Sequence, residues 1–194
     1  MTPNNCPPAK FVTNFTMVPQ GIFNHLCWAA VALSVDQLLN PDSNWKQLCD
    51  VVGDTDPNPA GCCSHPLSSD CNHEGLLIKG LEAHQLNSFF GAELGPYDQG
   101  PNGPLNAARK ERDWRVIKCE IDAGRVVCAG VDWGIKHYTA IYGYQECNGQ
   151  RSVWVLDPLF DPSASLSYDQ FVSNYLDAGK WTEMDRIKGA LPCP

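Results

Sequence analysis

His25-Leu26-Cys27-Trp28-Ala29-Ala30-Val31-Ala32-Leu33-Ser34-Val35-Asp36-Gln37-Leu38-Leu39 is the stretch on which the reading of this chain turns. An irregular, polar segment ends where it begins, and neither Gly nor Pro interrupts it from Cys27 to Leu39. Val31, Val35, Leu38 and Leu39 recur at i, i+4, i+7 and i+8, one face of an amphipathic helix, and Asn40-Pro41 stops it. Cys27 therefore falls in the first helical turn, beside unpaired backbone N–H groups and the positive end of the helix dipole. Both favour thiolate over thiol, so the position suits a nucleophile. A buried core cysteine is the plain alternative, and this stretch alone does not choose between them.

More than a hundred residues downstream, Gly134-Ile135-Lys136-His137-Tyr138-Thr139-Ala140-Ile141-Tyr142-Gly143-Tyr144 reads as a strand rich in aromatic and β-branched residues, with a histidine at its mouth. After Cys147-Asn148-Gly149 comes a second strand, Ser152-Val153-Trp154-Val155-Leu156, ending in Asp157-Pro158. A cysteine, a strand-entry histidine and an acid after the next strand form a nucleophile, a general base and an orienting group. The hairpin tests this. A two-residue Asn148-Gly149 turn would set Asp157 opposite Ala140, on the face away from His137. A three-residue loop, Cys147 to Gly149, sets it opposite Thr139, diagonal to His137 and about 7–8 Å away across the sheet. The triad thus predicts the longer loop, with Gly149 in its left-handed position. Asp132 and Asp161 are the other acids that could orient the ring. Gln20, in the Pro/Gly loop entering the helix, adds an amide. Together with the Cys27 backbone N–H it could meet the oxyanion of thiol acylation.

Taken in order, Val18-Pro19-Gln20, Cys27-Trp28-Ala29-Ala30, Gly124-Arg125-Val126-Val127, His137 to Tyr144, Asp157-Pro158 and Tyr168-Asp169-Gln170-Phe171 to Trp181-Thr182 span most of the chain. This series resembles papain-fold cysteine peptidases of the compact bacterial kind, close to the avirulence-effector peptidases of plant pathogens and the double-glycine-type peptidases. The resemblance implies a nucleophile at Cys27, a general base at His137, an orienting acid at Asp157 and an oxyanion donor at Gln20. It implies an endopeptidase that passes through an acyl-enzyme thioester, needs no cofactor and takes a protein or peptide as substrate. Relatives often carry glycines just before the histidine, whereas this chain has Gly134-Ile135-Lys136, a bulkier and charged approach that would narrow the mouth of the site. Trp28, Trp133 and Lys136 are the candidate substrate contacts, and Trp133 and Trp154 could equally be packing. The same triad can cut other amides or transfer acyl groups, so a cell-wall amidase, deamidase or acyltransferase is the alternative. A binding module on a degenerate protease scaffold is a third.

Composition fits one domain. At 194 residues and 43% hydrophobic content, the chain can bury a substantial core. No apolar run approaches the roughly 18–20 residues of a membrane span. A net charge of −8, with no basic cluster among aromatics, argues against nucleic acid as a partner. The punctuation predicts an extended arm over 1–18 and helices over 27–39, 44–52 (capped by Ser43), 74–86, 106–112 and 168–176, and the resemblance implies a further helix over 114–121. It leaves 53–73 and 91–103 as loops. Strands are expected over 125–131, 137–144, 152–156 and 181–187, mostly antiparallel. Helices first and sheet later is an α+β layout, papain-like by the resemblance, with the site where the halves meet.

Ten cysteines in this length suggest an oxidising destination. Setting Cys27 aside leaves an odd number: Cys6, Cys49, Cys62, Cys63, Cys71, Cys119, Cys128, Cys147 and Cys193. Cys49, Cys62, Cys63 and Cys71 read as two disulfides stapling a loop that has little else to hold it. A zinc site drawing on these and His65 or His73 is the rival, although the spacing lacks a pair of Cys-x-x-Cys clamps. Residues 1–20 show neither the basic start nor the apolar core of a signal peptide, so an exported form is expected to have lost its signal or to use another route. His25 stands too near Cys27 along the helix entry to face its sulfur and is expected to line the cleft or lie on the surface. His84 is expected to make a helix-end contact.

Overall fold

Helix α1 (Cys27–Leu39) begins and ends where its repeat and Asn40 dictate. The structure, a computed structural model, describes residues 6–56, 61–86, 104–160 and 164–188. Cys27 through Asp36 are all buried, a wider face than the apolar stripe alone would cover. The reason is that α2 (Leu48–Thr55), α3 (Leu77–Ala83) and the central strand all pack on α1. Both smaller helices start later than their sequence pattern suggests. Gln47 and Asp50 form a capping box at the head of α2, while the Ser43 hydroxyl instead accepts the Trp45 N–H at 3.1 Å. In α3 the delay comes from Gly75, where a Cβ would sit 2.3 Å from the Trp28 ring. The chain therefore passes the indole closely before Leu77 can start a helix. The two helices expected over 106–112 and 114–121 are one, α4 (Pro104–Asp122). Asp113 at their join is buried and paired with Arg112 at 3.0 Å. The loop expected over 91–103 lies outside the described residues.

Among the described residues, five helices accompany a six-stranded antiparallel sheet. Strands β2 (Val127–Asp132), β3 (Lys136–Cys147), β4 (Gln150–Leu156) and β6 (Lys180–Arg186) fall within a few residues of expectation. The two-residue β1 (Lys10–Phe11) and the Ser-rich β5 (Ala164–Ser167) were not anticipated, being too short for periodicity to register. The sheet runs β5-β4-β3-β2-β6, with β1 pairing β3 beyond the end of β2. Residues His137 to Ile141 of β3 are buried in succession, which requires cover on both faces of the sheet, and α1 and α4 both pack on this strand. Helix α5 (Tyr168–Asn174) is capped by the Ser167 hydroxyl, which accepts the Gln170 N–H, and packs on β6. At the hairpin end Glu146 accepts from Lys118 at 2.7 Å, Trp114 at 3.2 Å and Arg151 at 3.2 Å, tying the sheet to α4. The Lys118 ammonium above all holds this carboxyl down to about 2.

The β3–β4 hairpin corrects the sequence reading and keeps its consequence. The expected three-residue loop is absent. Cys147 pairs with Gln150, so Asn148-Gly149 is a two-residue turn, and both turn residues have positive φ (51° and 78°), as a type I′ turn demands. That register would set Asp157 opposite Ala140. The pairing shifts, however, between Ile141 and Gly143, leaving Tyr142 as an extra residue in β3. Beyond the bulge Ala140 pairs with Leu156, so Asp157 follows opposite Thr139 and on the face of His137. Strand β1 clasps the bulge: Phe11 pairs with Gly143, and the Val12 N–H donates to the Tyr142 carbonyl at 2.8 Å. A Cβ on Gly143 would lie 2.4 Å from the Phe11 ring and 2.9 Å from the Lys10 carbonyl. Gly143→Ala is therefore expected to cost about 1–3 kcal/mol in urea denaturation. Truncating the ring as well (Phe11→Ala) should remove much of the added cost, because only the Lys10 carbonyl then opposes the methyl.

Candidate active site

Cys27 opens α1, His137 is the second residue of β3, and Asp157 follows β4. The pairing of α1 with β3 and the register of β4 bring the three side chains together. All three are buried, at 7%, 6% and 9% exposure. His137 Nε2 lies 2.9 and 3.0 Å from the two oxygens of Asp157, and the Cys27 thiol is near enough to the ring to favour its charged form. With Nε2 committed to the carboxylate, Nδ1 is the nitrogen left for the sulfur. Burial opposes the charged ring, but the hydrogen bond and charge of Asp157, together with nearby Cys27, outweigh it. His137 is pushed up from 6.5 to about 9. It carries its proton at neutral pH.

Asp157 is held from several sides. Its Oδ1 accepts the N–H groups of Leu159 at 2.8 Å and Phe160 at 3.2 Å, and its Oδ2 accepts the Tyr175 hydroxyl at 2.8 Å. Tyr175 is buried at the end of α5, and sequence reasoning missed it because its role arises only from the α5–β6 corner. Burial, with the Asp157 charge, pushes the Tyr175 hydroxyl far above the usual phenol range, so it stays a donor. Trp133 stacks on His137 (5.2 Å, 25°) and on Tyr175 (5.7 Å, 19°) and donates to the Tyr175 carbonyl. Gly179 allows that approach, since a Cβ there would fall 2.5 Å from the indole nitrogen. Phe160 meets both Trp133 and His137 edge-on. An aromatic wall thus covers the imidazole–carboxylate pair.

Gln20 is buried and lines the same cleft as Cys27, of about 490 Å³. Its Nε2 donates to the Phe23 carbonyl, a group that can only accept, so the amide orientation is fixed and one N–H remains. Its backbone N–H donates to the Pro158 carbonyl at 2.8 Å, joining the loop that carries Gln20 to the Asp157 segment. The candidate contacts Trp28, Trp133 and Lys136 all line the cleft, with Lys136 ion-paired to Glu183. His25 lines it too.

Other candidates fall elsewhere. Trp154 packs on Phe11 beside the bulge (5.1 Å, 75°). Asp132 accepts the Gly134 N–H at 2.6 Å in the turn before β3. Asp161 lies outside the described residues. His84 makes no simple helix-end contact: it stacks on Trp45 at 3.6 Å and pairs with buried Asp36 of α1 at 3.1 Å, fastening α3 to α1.

The cysteines sort as the loop reading expects. Cys49–Cys63 and Cys62–Cys71 are disulfides, so these four sulfurs are unavailable as zinc ligands, and Cys6–Cys147 ties the arm to the hairpin end. Cys119 is disulfide-bonded as well, and Cys193 lies outside the described residues. Cys27 and Cys128 are free. No family model matches the chain, and no curated protein matches it in sequence.

Cys128 is fully buried, and burial pushes its thiol well up. Native iodoacetamide labelling read by peptide mass spectrometry is therefore expected to modify Cys27 through the cleft and to reach Cys128 only after unfolding. Equal labelling of both in the folded state would contradict this arrangement.

Proposed function

We propose that this protein is a papain-like cysteine endopeptidase, exported to an oxidising compartment, that hydrolyses peptide bonds through Cys27, His137 and Asp157. The observation that carries the reading is that His137 gives Nε2 to Asp157 and lines the same cleft as Cys27, which leaves Nδ1 for the sulfur. In this chemistry the thiolate attacks the substrate carbonyl carbon. The carbonyl oxygen becomes an oxyanion, met by the remaining Gln20 N–H and by the Cys27 backbone N–H, which helical geometry leaves unpaired in the first turn. The His137 imidazolium gives its proton to the leaving amine as the C–N bond breaks, leaving a thioester. Water then attacks the thioester, His137 takes its proton, and the sulfur is released. Asp157 keeps the ring in one orientation and stabilises its charge, while Trp133 and Phe160 keep water from the pair. The disulfides support the oxidising destination.

Incubation with a peptide library should give cleavage that Cys27→Ala abolishes and that Gln20→Ala slows by about 10²–10³ in kcat. Digestion of peptidoglycan with no peptide cleavage would replace the peptidase by a cell-wall amidase.

Loss of the imidazolium sets the alkaline limit. The pH profile of kcat/KM is expected to fall above about 9, and Asp157→Asn should bring that fall toward neutral pH. The His137 contribution to stability follows the same sign. It is complete below the ordinary histidine value of 6.5 and is lost as pH rises through about 9.

A further inference from the structure

A second cavity of about 430 Å³ lies on the other side of the Asp157 segment, and the chemistry above makes no use of it. One wall comes from the arm, through Phe15 and Met17. Another comes from the bulge residue Tyr142 with Leu156, and the third from Leu159 and Phe160. Asp157 also borders it, but its oxygens already serve His137, Tyr175 and two backbone N–H groups. Among the described residues no Lys or Arg lines the cavity, so nothing there would hold an anion. Its lining is mostly apolar.

Two features connect it to the cleft. Leu159 lines both spaces and forms the ridge between them. Leu159 and Phe160 are also 48% and 47% exposed, an apolar pair left in water beside the catalytic ring. Direction follows from the proton. The leaving nitrogen must reach His137, and Phe160 stands against that ring at 6.5 Å. The chain beyond the scissile bond therefore departs past Phe160, toward this cavity. The acyl half is left to the opposite wall, where Trp28 and Leu76 line the cleft.

We propose that the cavity receives a bulky apolar side chain from the leaving half of a peptide substrate, so that the enzyme selects sequences that are apolar shortly after the cut. This rests on the peptidase reading and adds a specificity to it. The substrate is an extended peptide whose leaving half carries a residue such as leucine or phenylalanine, and a glycine or aspartate there would leave the cavity empty or desolvate a charge.

Two experiments test it. In the first, kcat/KM is compared for a cleaved peptide and its analogues with leucine or glycine at the first three leaving-side positions. The native enzyme is expected to prefer leucine at one position by about tenfold or more. Thr16→Trp, which fills the cavity from its exposed rim, should bring that ratio toward one. In the second, ¹³C-methyl methionine spectra of the Cys27→Ala protein use Met17, one of only three methionines in the chain. The leucine peptide should shift the Met17 methyl signal and the glycine peptide should not. Peptides cleaved without leaving-side preference, with an unmoved Met17 signal, would overturn the inference and leave the peptidase standing. If no peptide is cleaved and Cys27 goes unlabelled in folded protein, the peptidase reading fails and the inference falls with it.

Discussion

The hydrogen bond between His137 and Asp157 depends on one residue inserted into a strand. Asn148-Gly149 makes the tight turn its two left-handed residues favour, and that turn alone would aim Asp157 at the wrong face. Tyr142 bulges out of β3 and restores the alternation before the chain reaches the site. The bulge has its own support: the Phe11 ring lies over Gly143 and contacts Tyr142 (5.6 Å) and Trp154 (5.1 Å). The arm is fixed in turn at the hairpin end through Cys6–Cys147. A segment remote from the cleft thus sets the distance between an imidazole and its acid.

What could be read from sequence was what is local. Helix α1 was legible because its apolar spacing and Asn40-Pro41 stop lie within one stretch, and His137 and Asp157 because each marks the end of a strand. The choice of hairpin loop was not. Two local arguments conflicted, the Asn-Gly pair favouring the short turn and the acid's position requiring the other register. The chain satisfies both by a device that depends on a contact with Phe11, more than a hundred residues away. Tyr175 was invisible for the same reason, since its hydroxyl reaches Asp157 only after α5 and β6 have folded back on Trp133. Helix boundaries failed where a tertiary neighbour intervened, as the Trp28 ring does at Gly75.

The helical half is fastened differently from the sheet. Cys49–Cys63 ties α2 to the segment that leads into the cleft wall at Gly75 and Leu76, and Cys62–Cys71 closes a short loop within that segment. Each contributes on the order of 2–4 kcal/mol, chiefly by limiting the unfolded chain. The Trp28 indole donates to the His73 carbonyl at 3.2 Å, so the wall is attached to helix α1 itself. Asp36, His84 and Trp45 make a second attachment further along α1. Helix α1 is therefore tied to its neighbours both at its first turn and further along its length.

Sulfur in this molecule is asked to exist in two oxidation states within a single fold. In the proposed chemistry Cys27 is of use only as a thiol or thiolate, while the bridges that brace its surroundings are of use only as cystines. A strongly reducing buffer that rescues an oxidised nucleophile also exposes the exposed Cys63 half of a bridge to exchange. The protein should therefore tolerate only a bounded range of ambient potential, and handling chosen for one sulfur has consequences for the others.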